Sequence, residues 1–149
     1  MSISIQTDDF DVASELIQLR GIDKSAGAIV TFIGLVRDMN EGDNVAAMHL
    51  EHYPGMTEKA LERIVTAARS RWDVQAVRVI HRVGDLLPSD QIVFVGVSSV
   101  HRQEAFAACQ FIMDYLKTEA PFWKHEATSE GERWVEARET DLEAARRWA

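Results

Sequence analysis

Cysteine is almost missing from this 149-residue chain: Cys109 is the single one. One thiol closes no intramolecular disulfide and builds no cysteine metal cluster, and such usage suits a reducing compartment. Long apolar runs are missing too. No stretch approaches the ~20 consecutive apolar residues of a membrane-spanning helix. Met1 to Asp11 has neither a basic start nor an apolar centre, so it is not expected to be a signal peptide, and a cytoplasmic location is expected. No glycine-rich fingerprint follows an expected strand, which removes support for dinucleotide and P-loop folds. No serine stands in a nucleophile motif. Positive charge is scarce: 16 Lys plus Arg face 24 Asp plus Glu, for a formal net charge of −8. The field of such a chain repels phosphate polymers and acidic membranes, so neither nucleic acid nor a membrane is an expected partner. One small anion in a local basic pocket remains compatible with it.

The length fits a single domain over residues 1–149, large enough to bury a core without staples. Apolar spacing predicts a short helix over Asp11 to Leu19 and a strand over Ala26 to Ile33. A second strand is expected from Val45 to Tyr53, then a helix from a Thr57 cap to about Arg71. Val74 to His81 alternates as a third strand. Gln91 to Ser98 is nearly all apolar, the pattern of a central strand covered on both faces. A long helix is expected from about Val100 to Lys117, with Phe106, Cys109, Met113 and Leu116 as its buried stripe. Pro121 interrupts it. Phe122 to Thr128 and Arg133 to Ala137 are possible strands, and Asp141 to Trp148 a terminal helix. The sum is a mixed α/β or α+β domain.

Against the acidic background, two lysines stand seven residues apart, Lys117 and Lys124, with Pro121 and two aromatics between them. Lys117 lies near a helix C-terminus, where the dipole alone explains a cation. Lying one position past Leu116, it could also be sheltered and have its pKa lowered, with Lys124 supplying the neighbouring charge. Ser98-Ser-Val-His-Arg102 lies where the central strand meets the long helix. With Ser99 as cap, Arg102 faces the positive end of the helix dipole. An anion there would remove that conflict, gripped by free N–H groups, the guanidinium and His101. The alternative is that Arg102 turns away to a surface carboxylate. Arg37 after the first strong strand either closes a pocket rim or pairs with Asp38 or Glu41. Cys109 in the apolar stripe reads as a small hydrophobe. His49 and His52, on opposite faces of one strand, give weak support for zinc. Phe111, Tyr115, Phe122 and Trp123 are part core, part candidate groove for a partner chain.

These residues carry a resemblance. The stretches Thr31-Phe-Ile-Gly-Leu-Val-Arg37, Leu50-Glu-His-Tyr-Pro-Gly-Met56, Ile80-His-Arg-Val-Gly84, Val93-Phe-Val-Gly-Val-Ser-Ser-Val-His-Arg102 and Phe111 through Glu126 follow one another in order. Together they resemble the large, catalytic subunit family of molybdopterin synthase, from Ala28 to Trp148, with the first 25 residues matching poorly. The resemblance implies an α+β, hammerhead-like single domain with a mainly antiparallel sheet and packed helices. It implies a sulfurtransferase acting on cyclic pyranopterin monophosphate (precursor Z), with no permanently bound cofactor. Sulfur would arrive as the C-terminal Gly-Gly thiocarboxylate of a small ubiquitin-like sulfur-carrier subunit. A homodimer, extended to a heterotetramer by two small subunits, is implied as well. Carried over by position, the family's site falls on Lys117 and Lys124 as catalytic residues. Its substrate-binding positions fall on Arg37, His101, Arg102, His125, Glu126 and Arg138. Sulfur imported by the partner would explain why no activated Ser or Cys is present. The competing readings are a non-catalytic adaptor for a ubiquitin-like protein, a phosphate-ester hydrolase without a visible nucleophile, and a single-strand RNA binder disfavoured by charge.

Overall fold

A computed structural model describes residues 3–40, 43–128, 131–135 and 139–149. In chain order the elements are β1 (Ile3–Gln6), α1 (Val12–Gly21), β2 (Ala28–Leu35), β3 (Met39–Asn40), β4 (Asp43–His52), α2 (Met56–Arg71), β5 (Ala76–Arg82), β6 (Gly84–Leu86), β7 (Gln91–Ser99), α3 (Arg102–Glu119), β8 (Phe122–Thr128), β9 (Gly131–Val135) and α4 (Glu139–Arg146). Two sheets result. The first has the order β1-β5-β7-β2, and the second runs β3-β4-β8-β9 with β6 also on β4. Among the described residues, only the β1–β5 pairing is parallel. This is the α+β, mainly antiparallel architecture the sequence led us to expect.

The apolar run Gln91–Ser99 is interior to the first sheet, and every residue after Gln91 is buried. Helix α3 covers it. The helix starts just past the end of β7, and the Cys109 thiol sits 3.8 Å from the Val95 carbonyl halfway along. It therefore runs back along β7, and its C-terminal turn with Lys117 returns to the Gln91 end of the sheet. Its buried residues are Ala105, Ala108, Cys109, Phe111, Ile112, Met113 and Leu116. Phe106, expected in that stripe, is instead 60% exposed. The true stripe runs through Ala105 and Ala108, small residues that let the helix lie close to the strand.

Helix ends differ from expectation for local reasons. Ser99 does not cap α3. Its hydroxyl donates to the Asp73 carbonyl (2.7 Å), the cap position is His101, and Arg102 opens the helix. Thr57 lies inside α2, fully buried, and its hydroxyl donates to the Pro121 carbonyl at 3.0 Å while accepting from the Tyr53 N–H. Glu58 instead accepts from the Gly55 N–H, 3.1 Å away, at the start of that helix. Strand β1 and the two-residue β3 carry too little pattern to be read in advance. The terminal helix begins at Glu139, so Asp141 lies within its first turn. Trp148, just beyond it, donates to Asp114 at 2.7 Å and packs edge-on against Trp72 and Phe111. The Arg71 guanidinium faces all three rings and donates to the Trp148 carbonyl. The chain's last turn is thereby tied to α3. Among the described residues, no helix is long and apolar enough to cross a membrane.

Candidate functional site: a lysine pair over a buried histidine

Pro121 has no N–H to continue α3 and biases Ala120 to the extended backbone it adopts (φ −80°, ψ 128°). The chain turns there, pinned by the Thr57 hydroxyl on the Pro121 carbonyl. It then re-enters as β8. Lys117 is on the last turn of α3 and Lys124 is the third residue of β8. The turn brings their amino groups close enough for each to act on the other. The two lysines are unequally sheltered. Lys117 is exposed, so of its two readings the sheltered one beside Leu116 fails, whereas Lys124 is half-buried. Burial, then the charge of Lys117 and the hydrogen bond to it, lower the pKa of Lys124 to about 8. Asp141 and Glu126 push the other way.

Strand alternation puts Phe122, Lys124 and Glu126 on one face of β8 and Trp123 and His125 on the other. Glu126 is 2% exposed and acts electrostatically as a counter-charge to Lys124. Phe122 stacks on His81, with ring centroids 3.8 Å apart and planes 17° from parallel. His81 lies on β5 opposite Val93, the Lys117 end of the first sheet. It is buried, and its Nδ1 is 2.8 Å from the Arg82 carbonyl oxygen. That contact assigns the ring proton to Nδ1. Burial above all drives the His81 pKa down to about 3, against the Arg82 hydrogen bond, and the charges of Lys117, Lys124 and His52 push it further down. Two cations therefore share the site with an imidazole that stays neutral.

This has a consequence for stability. Below pH 6.5 an unfolded chain takes up a proton at this histidine that the fold refuses, so stability falls as pH drops from 6.5 toward 3. At about 1.4 kcal/mol per unit, the loss from pH 6.5 to 5 amounts to about 2 kcal/mol. His81→Phe should lack that component. Urea unfolding of both proteins at the two pH values measures it, and equal losses in the two would show that His81 is not held neutral.

The other sequence-predicted residues divide. Arg37 is exposed just beyond β2, whose end pairs with Gln91, and so stands at the lysine end of the sheet. His101 and Arg102 are exposed at the opposite end, because fifteen residues of α3 separate Arg102 from Lys117. That is about 22 Å along the helix axis. His125 faces away from Lys124, edge-on to Trp134 at 4.9 Å. Arg138 lies outside the described residues. The expected aromatic wall also splits: Phe111 is core, Phe122 lies under the lysines, and Trp123 is on the far face beside Tyr53. Cys109 is buried, and burial pushes its thiol up to about 12, as befits a small hydrophobe. Sequence reasoning assigned no role to His81, weighed His52 only in a weakly supported zinc pair with His49, and took Asp141 only as a helix cap. The one available signal for His81 was its place on the buried face of an alternating strand.

Residues 5–119 match the family model described as MoaE protein. The likeness thus begins well before Ala28, where the quoted motifs had put its start. A Vibrio cholerae protein named molybdopterin synthase catalytic subunit is 62% identical over 98% of this chain and 97% of its own length. The Escherichia coli protein of the same name is 63% identical over 93% of this chain and 92% of its own. Among solved structures, a molybdopterin biosynthesis MoaE protein from Burkholderia ambifaria superposes with a TM-score of 0.85, at 57% identity, covering 99% of this chain and 97% of that one. A Helicobacter pylori structure described as a complex of subunits 1 and 2 of molybdopterin-converting factor shares the fold at 20% identity, with a TM-score of 0.73 over 93% of this chain and 92% of that one.

Proposed function

The chain belongs to the MoaE protein family, with an enzyme role in molybdopterin biosynthesis as a synthase catalytic subunit, and from that premise we propose that its lysine pair transfers sulfur. The donor is the C-terminal thiocarboxylate of a small ubiquitin-like subunit, and the acceptor is cyclic pyranopterin monophosphate. The observation that carries the reading is the placement of two lysines on either side of the Pro121 turn, near enough that Lys117 helps lower the pKa of the half-buried Lys124 to about 8. At pH 7 an amine with that pKa is neutral in about a tenth of molecules, far more than an ordinary lysine. Lys117 faces the thiocarboxylate and stabilises negative charge as it develops, while Lys124 holds the substrate and accepts a proton. This sharing refines the roles drawn from the resemblance, because the shelter lies at Lys124. The tail enters extended, since glycines pass where side chains cannot.

Substrate phosphate needs cations that the lysine end supplies only in part. Arg37 is at that end; His101 and Arg102 are not. They lie on a flank that exposes Phe32, Val100 and Phe106, along the edge strand β2 and the start of α3. A second copy of the chain covering that apolar flank would carry His101 and Arg102 to the lysines of its partner, with Arg138 as a further candidate. One small subunit per copy completes the heterotetramer. Reconstitution with thiocarboxylated partner and precursor tests the reading. The product mass should report two sulfurs gained and a dithiolene formed. A chain that binds the partner tightly and leaves the precursor unchanged would be an adaptor instead.

A further inference from the structure

His81 takes no step in the chemistry above, yet it is fixed more firmly than either lysine. Its Nδ1 is bound to the Arg82 carbonyl, leaving the lone pair on Nε2. One ring face lies against Phe122 at 3.8 Å. Its strand is paired to the buried β7 through Val93. Phe122 and Lys124 are two residues apart on the same face of β8, so whatever locates the phenyl ring locates the amine. Asp141 on α4 and Glu126 on β8 act on Lys124 besides Lys117, and His81 on β5 is itself acted on by Lys117, Lys124 and His52 of β4. Of these, only His81 is stacked on the ring beside Lys124. We propose that His81 is a positioning residue for the lysine pair: locked by the Arg82 carbonyl and stacked on Phe122, its ring sets where β8 holds Lys124 against Lys117 and keeps water from that amine. Its neutrality matters, because a charged imidazole would crowd a third cation under the two lysines.

The relevance to turnover rests on the sulfur-transfer reading; the positioning itself does not. Two variants separate the ring from its polarity. His81→Phe keeps a flat ring for Phe122 and loses the bond to Arg82. His81→Asn keeps a short polar group and loses the stack. The full-length chain is acetylated with acetic anhydride over a range of pH, and the rate at Lys124 is followed by peptide mass spectrometry. In the wild type and in His81→Phe, the amine should titrate near the lowered value. In His81→Asn it should titrate about one pH unit or more higher, because water reaches it. A His81→Asn chain with wild-type titration would overturn the proposal, as would a His81→Phe chain shifted as far as His81→Asn. In the reconstituted enzyme, kcat for His81→Asn should fall roughly tenfold or more with the precursor KM almost unmoved. His81→Phe should retain most of it. If the titration moves as stated while turnover does not, the positioning stands and the catalytic use of the pair falls.

Discussion

Lys117→Ala should make almost no molybdopterin while still binding the small subunit. Deleting a preorganised charge beside a developing anion lowers turnover by about 10²–10³-fold, and this site offers no second exposed cation on the same helix turn. The loss should not come from unfolding. Lys117 is exposed at the last turn of α3, beyond the buried stripe that ends at Leu116, and truncation at such a place changes stability by about 0.5 kcal/mol or less. The same variant has a second readout. The charge of Lys117 and the hydrogen bond to it both act to lower the Lys124 pKa, so without them Lys124 should titrate higher. Lys124→Ala differs in kind: it opens space beside the buried Glu126 and so should lose some stability as well as turnover. Turnover by Lys117→Ala within a few-fold of wild type, in a protein with normal partner affinity, would remove this lysine from the mechanism.

The parts of this molecule that were legible in the sequence are those with a strong period. Gln91–Ser99 read as a central strand because no polar residue interrupts its middle, and α3 read as a long helix because its apolar residues recur on one face. Phe106 was misplaced by the same logic. It sits at helical spacing from Cys109, but two alanines, Ala105 and Ala108, do the packing, and small residues give a weak hydrophobic signal. The lysine pair was visible because Pro121 forces a reversal between its members, which is local chemistry. What could not be read was which lysine is sheltered, since that depends on tertiary packing that brings elements distant in sequence to Lys124, among them β5 with His81 and α4 with Asp141, which interact with it electrostatically. His125 shows the opposite limit. Its neighbour Lys124 faces the site, and alternation alone sends His125 to the other side with Trp134. A motif read as a continuous string cannot express that inversion.

Mixing two inactive chains should restore activity. One chain carries Lys117→Ala and the other Arg102→Ala, each inactive alone. The argument is geometric. Within one chain, about 22 Å of helix separates Arg102 from the lysine pair, beyond the reach of a single arginine side chain. A two-fold dimer solves this by exchanging flanks, so that each site takes its lysines from one copy and His101 and Arg102 from the other. In a mixed dimer, one site then receives both substitutions and the other receives none. Random exchange of equal amounts puts half of the dimers in the mixed state, and each has one intact site, so about a quarter of wild-type turnover should return. Precursor affinity at the restored sites should be that of the wild type, because the phosphate-binding arginine there is intact. If subunit exchange is verified by mass and no activity returns, the basic residues at the start of α3 do not serve a partner's lysines. Arg102 would then be left as a surface charge at a helix N-terminus, where the dipole disfavours it.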